Sequence, residues 1–169
     1  MRTLMVIAEM GSGGAETVVT DLAGHLASTG GSVCVASNGG WRADGLVVAG
    51  IRTVQIPLRA PGPRSLLRSG WAVGRELRRH PVDVVHAHNV RAGVAAYLGT
   101  RFVRRRPPIV TSVHGLAAED YDTAARLLGK TADLVVAVSD DVADRLRAGG
   151  LPEARLQVIE NAVTVSALP

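Results

Sequence analysis

Apolar runs of strand length alternate with helix-length segments along the whole chain. Leu4–Ala8 reads as a first strand. Glu16–Ser28 reads as a helix, because Val18, Leu22 and Leu26 recur four apart and stack on one face. Val33–Ala36 forms a second strand, and Asn38-Gly39-Gly40 is a turn signal. After a less regular stretch, Gly50–Ile56 reads as a third strand stopped by Pro57, with Pro61-Gly62-Pro63 as a loop. Ser65 is the expected N-cap of a helix to Arg79. Further strands are expected at Asp83–His86, Ile109–Val113, Asp133–Val138 and Leu156–Ile159. Helices fall between them at Arg91–Val103, Ala118–Lys130 and, capped by Ser139, up to Arg147.

Strands that are apolar throughout, separated by helices, imply a parallel sheet buried on both faces. The expected fold is therefore a doubly wound, Rossmann-like α/β domain of about seven strands over residues 1–169. In such a sheet ligands gather beyond the C-terminal strand ends. The polar residues just after each strand are thus the candidates for chemistry.

Composition sharpens this picture. Hydrophobic residues make up 47% and aromatics 3%, so the core is built from Ala, Val, Leu and Ile. The single cysteine, Cys34, excludes an internal disulfide framework and reads as a small buried hydrophobe. No run is apolar and long enough for a spanning helix, and the N-terminal apolar run is too short for a signal peptide, so a cytoplasmic protein is expected.

The net charge of +4 is unevenly spread. From Arg52 to Arg106 there are twelve arginines and two acids, Glu76 and Asp83. The asymmetry suggests a basic face for phosphate-bearing ligands or an anionic membrane, against the plainer reading of a solvated arginine-rich surface. Arg64, Arg68, Arg75 and Arg79 form one stripe, with Leu67, Trp71 and Leu77 on a neighbouring face. Nucleic acid is disfavoured, because no aromatics are interleaved for base stacking.

After the first strand, Gly11-Ser12-Gly13-Gly14-Ala15-Glu16 opens a helix and offers backbone amides to an anion, or is simply a flexible turn. It fails the dinucleotide fingerprint, because Glu16 stands where the third glycine belongs and Ser37-Asn38 supply no ribose-binding acid. After the fourth strand come His86, His88 and Asn89, with both histidines on one side of the extended chain. They lack a third ligand at metal-site spacing, so no metal is expected. His114-Gly115 follows the fifth strand and can face a cleft closely. No nucleophile elbow and no acid/base carboxylate pair stands out.

Gly13-Gly14-Ala15-Glu16, Asp83 to His88, Thr111 to Gly115, Ala132 to Ser139 and Val158 to Val163 occur in this order at strand ends. Together they resemble the N-terminal domain of the GT-B glycosyltransferases, specifically the large retaining family four, over about residues 1–165. The resemblance implies one half of a two-domain enzyme: this half holds the acceptor, and an absent C-terminal domain holds a nucleotide-sugar donor. It implies His114 at the reacting sugar, Gly13, Gly14 and Glu16 at the donor phosphate or acceptor, and His88, Asn89, Arg91 and Gly115 around the acceptor. It implies no cofactor beyond the nucleotide-sugar co-substrate and no metal. Glu160, Ala162 and Thr164 depart from the family's hinge pattern. The half-domain is expected to be inactive alone, and the absence of the family's last helix, which crosses back and packs on this domain, is expected to leave an apolar patch exposed for pairing as a homodimer. A stand-alone sugar- or partner-binding half-domain is the alternative, and an epimerase or phosphorylase built on the same two halves is a third reading.

Overall fold

A computed structural model describes residues 1–161. The stretch Ala162, Val163 and Thr164, part of the expected hinge, lies outside the described residues. The strands are β1 (Arg2–Val6), β2 (Ser32–Ser37), β3 (Arg52–Gln55), β4 (Val84–Ala87), β5 (Ile109–Val113), β6 (Leu134–Ala137) and β7 (Leu156–Val158). Between them run α1 (Gly14–Ser28), α2 (Trp41–Val48), α3 (Pro63–Arg79), α4 (Val90–Thr100), α5 (Tyr121–Thr131) and α6 (Asp140–Ala148). The sheet order is β3-β2-β1-β4-β5-β6-β7, and every pairing is parallel.

That order places the switch point between β1 and β4. Crossovers lead one way into β2 and β3, and the other way into β5, β6 and β7. Helices consequently divide between the faces. Alternate residues Met5, Ile7, Val33 and Val35 pack with Val19 and Ala23 of α1 and Ala43 and Leu46 of α2. Leu4, Val6, Val85, Ala87 and Ile109 pack oppositely, with α3 and α4. Val113, Val135 and Ala137 pack with α5 and α6 on that same side of the sheet. On the α1–α2 side, Val84, His86, Val110 and Leu134 remain only half-buried.

Four sequence expectations are corrected. The irregular stretch after β2 contains α2, which joins two parallel strands and so must supply a crossover. Ser65 does not cap α3: the helix starts at Pro63 after Gly62, and the Ser65 hydroxyl donates to the Pro57 carbonyl at 3.0 Å. Proline at the first turn fits because its ring presets φ and no amide is lost there. Leu77 faces the core at 3% exposure, whereas Leu67 and Trp71 stand within the arginine stripe. The helix after β4 stops at Thr100 rather than Val103, its end tightened by amides of Arg101 and Phe102 bonding back to Leu98 and Gly99. Ser139 does cap α6, accepting the Val142 amide at 3.3 Å.

Helices α3 and α4 meet backbone to backbone. A Cβ on Gly99 would lie 2.7 Å from Val73 Cγ1 and 2.9 Å from the Gly70 carbonyl oxygen, so only glycine admits this approach. Cys34 is buried, and burial pushes its thiol up to about 11, consistent with an inert core residue.

Candidate active site

The crest of the sheet, where β1 and β4 diverge, carries a cavity of about 200 Å³. It is lined by Glu16 at the start of α1, by His88 and Asn89 after β4, and by His114 and Gly115 after β5, with Ile7, Ala15 and Leu116 among its apolar walls. Five sequence-predicted residues therefore converge from three separate strand ends.

Each is held by a local cause. The His88 amide continues the sheet by donating to the Val6 carbonyl at 2.9 Å, which fixes the residue beside β1. Asn89 spends its side-chain oxygen on the Ala92 amide at 2.7 Å and is thus the N-cap of α4 as well as part of the wall. Gly115 has φ +110, a conformation that glycine adopts without strain, and it turns the chain sharply after His114.

The histidines form a column. The rings of His86 and His88 lie 4.1 Å apart and those of His88 and His114 lie 5.7 Å apart. His86 is anchored by a 2.8 Å bond between Nε2 and Ser112 Oγ. His88 is 1% exposed, and all four ring nitrogens of His88 and His114 lack a partner among the described residues. Burial lowers all three basicities: His86 falls to about 4, with repulsion from His114 adding to the effect, and His88 falls well below its ordinary value. His114 is also lowered by burial, partly opposed by the Glu16 carboxylate. The column is neutral at pH 7. A neutral imidazole pairs one donor with one acceptor, a combination suited to hydroxyls.

Glu16 alters the expected anion seat. Its carboxylate folds back against Gly13, so closely that a Cβ on Gly13 would overlap it. A fixed negative charge thus sits where the amides of α1 open. Gly13 is the N-cap and Gly14 the first helical residue, and neither lines the cavity. Arg91 does not line it either. Its guanidinium donates to the carbonyls of Leu58, Ala60 and Gly62, clamping the entry to α3 from behind. No cluster of three or more His, Cys, Asp or Glu among the described residues is arranged for a metal ion.

Sequence reasoning missed Arg42. Its guanidinium donates to the Gly11 carbonyl at 2.8 Å and to Thr17 Oγ1 at 3.0 Å, while the Met10 amide donates to the Gly39 carbonyl at 2.9 Å. The turns after β1 and β2 are thereby fastened together. Gly40, at φ +129, permits this, since any Cβ there would strike the Met10 carbonyl.

The profile of Glycosyltransferase Family 4 matches residues 12–167. No curated protein sequence matches significantly. Solved structures do. A glycosyltransferase from Rickettsia africae ESF-5 superposes with a TM-score of 0.77 at 23% identity, over 96% of this chain and 43% of that one. Anabaena Alr3699/HepE in complex with UDP-glucose gives 0.75 at 20%, over 96% and 44%. The lipopolysaccharide outer core galactosyltransferase WaaB gives 0.75 at 16%, over 99% and 48%. The chain spans less than half the length of each.

Proposed function

Because the chain belongs to glycosyltransferase family 4, we propose that it forms the acceptor-side lobe of a retaining, nucleotide-sugar-dependent hexosyltransferase. The observation that carries this reading is the convergence of Glu16, His88, Asn89, His114 and Gly115 on one cavity at the switch point of the sheet. Neutral imidazoles beside one carboxylate make a wall for sugar hydroxyls rather than for a diphosphate. The carboxylate against Gly13 repels an anion at the one place where amides would attract it. His114 hydrogen-bonds the transferring sugar, and His88 with Glu16 orients the acceptor hydroxyl.

In the transfer, the acceptor oxygen bonds to the anomeric carbon as the bond to the donor phosphate breaks. The acceptor proton leaves with the departing diphosphate. The positive groups that stabilise this leaving group belong to a second, donor-binding lobe. The nucleotide sugar is a co-substrate, and neither a metal nor another cofactor has a role in this lobe. A cytoplasmic setting fits a nucleotide-sugar donor.

The second lobe would also cover the half-buried side of β4–β6 around Val84, Val110 and Leu134. Without it, that face is the place for a homodimer to form. Alone, residues 1–169 are expected to show no turnover.

Amide and imidazole NMR titrations test the assignment. Saccharide acceptors should shift His88, Asn89, His114 and Gly115, while UDP alone should leave them in place. Shifts driven by UDP without any saccharide response would reverse the assignment. Robust sugar transfer by residues 1–169 would end the half-enzyme reading.

A further inference from the structure

We propose that the acceptor seated at the crest carries a protonated amine, as an amino sugar or an aminocyclitol does, and that Glu16 is the residue that selects it. The inference rests on the acceptor-side reading above and narrows it to a class of substrate.

Charge in the crest cavity is one-sided. Among the residues that line it, Glu16 alone carries a full charge. It makes no ion pair among the described residues. The arginines nearest in the fold are spent elsewhere. Arg42 donates to the Gly11 carbonyl and Thr17 Oγ1, Arg59 pairs with Glu9 at 3.3 Å, and Arg91 donates to the carbonyls of Leu58 and Ala60. The carboxylate lies against Gly13, where only glycine leaves room for it, so the charge has a fixed place.

The helix dipole accounts for an acid in the first turn of α1. It does not account for the imidazoles that share the cavity. His88 is 1% exposed, and its ring nitrogens lack a partner, as do those of His114. Burial keeps both rings neutral, so each retains one nitrogen lone pair that can accept a hydrogen bond. Glu16 opposes the fall in the basicity of His114, which puts the two groups within electrostatic reach.

An ammonium brings three N–H donors, no acceptor and one positive charge. The crest offers one carboxylate and imidazole lone pairs, acceptors that an ammonium can use together. A hydroxyl in its place leaves the carboxylate uncompensated in a cavity walled by Ile7, Val113 and Leu116. An anionic acceptor is repelled. A metal ion is disfavoured, because no three His, Cys, Asp or Glu among the described residues are arranged for one. The cation that fits is therefore one held by hydrogen bonds.

The apolar walls add to the preference. They thin the water around the charge, which strengthens a carboxylate–ammonium pair beyond its value on an open surface. At about 200 Å³ the cavity takes a single sugar-sized ring. The amine and the accepting hydroxyl then belong to the same ring, and seating the ammonium on Glu16 fixes which hydroxyl faces the donor.

NMR titration of the full chain with D-glucosamine, D-glucose, N-acetyl-D-glucosamine and D-glucuronate tests this at about pH 6.5, where a primary amine is protonated. Glucosamine is expected to shift His114 and Gly115 with a Kd about tenfold below that of glucose, the gain of a charge-assisted hydrogen bond. N-acetylation removes the charge and keeps the ring, and should cancel the gain. Glucuronate should bind least. In Glu16→Gln the ratio of the glucose and glucosamine Kd values should fall from about ten to about one. Equal Kd values in the parent chain, a gain that survives N-acetylation, or a ratio that survives in a folded Glu16→Gln variant would each overturn the inference. Should the variant bind neither sugar, the probes on the parent chain decide alone. Saccharide shifts without an amine preference overturn this inference and leave the acceptor-side assignment standing. No saccharide shift at all overturns both.

Discussion

His88 lies ring over ring with His114 at 5.7 Å, and neither imidazole has a partner for its nitrogens among the described residues. A buried donor or acceptor left unpaired costs about 1–3 kcal/mol. Such a group persists where a ligand completes it. His88→Phe should therefore be neutral, or stabilising by about 1 kcal/mol, in urea unfolding of this chain, because an apolar ring removes the unpaired nitrogens. The same change should abolish saccharide-induced shifts at His114 and Gly115. A destabilisation beyond about 2 kcal/mol would mean that the imidazole is needed by the fold rather than by a ligand.

Protonation acts on the same column. An ordinary histidine titrates near 6.5, and His86 in the folded chain does so at about 4. Between those values the unfolded chain binds more protons than the folded one, so stability falls with falling pH. The contribution is complete above about pH 6.5 and is lost progressively as the pH drops to about 4, with His88 and His114 acting in the same direction. Thermal melting should drop across this window, and His86→Gln should flatten the slope. An unchanged slope in that variant would remove His86 as a cause.

The sheet was largely readable in the sequence, because buried parallel strands are mostly apolar throughout and Leu134–Ala137 stands out as an uninterrupted run. The crest was readable for the same reason: strand ends mark where His88 and His114 emerge. Helix α2 was not. Val47 and Val48 are exposed at its end, and Gly45 interrupts it, so its buried pair Ala43 and Leu46 is too short a pattern to announce a helix. Only the need to cross between parallel β2 and β3 required one. With α2 unseen, Arg42 could not be placed beside Gly11, which is 31 positions away. Glu16 was found at the site, but its fold back onto Gly13 depends on a rotamer that spacing does not encode.

Glycine substitutions should separate close packing from flexibility. Gly99→Ala forces a methyl group into Val73 and the Gly70 backbone, and should cost about 1–3 kcal/mol in chemical denaturation. Gly24, inside α1, has nothing within 4 Å of an added Cβ. Gly24→Ala should stabilise by about 0.5–1 kcal/mol through helix propensity alone. Equal effects at the two positions would refute the backbone contact between α3 and α4.

Arg42 offers the most direct link between the fold and the candidate site. It bonds the Gly11 carbonyl and Thr17 Oγ1, the two ends of the segment that carries Gly13, Gly14 and Glu16. Its cation also stacks over the Trp41 ring at 4.5 Å, at the edge of the crest. Removing the guanidinium deletes both bonds but no core atom, since β1, β2 and α1 retain their own pairings. Arg42→Ala should therefore cost only about 1–2 kcal/mol of global stability, while exchange of the Met10 and Thr17 amides, which donate to the Gly39 and Gly13 carbonyls, accelerates well beyond that of β1. Arg42→Lys, which keeps the charge but loses the two-pronged donor, should restore exchange protection only in part. If the Met10 and Thr17 amides stay as protected in Arg42→Ala as in the parent chain, the glycine turn is held by α1 itself and Arg42 does not set the position of Glu16.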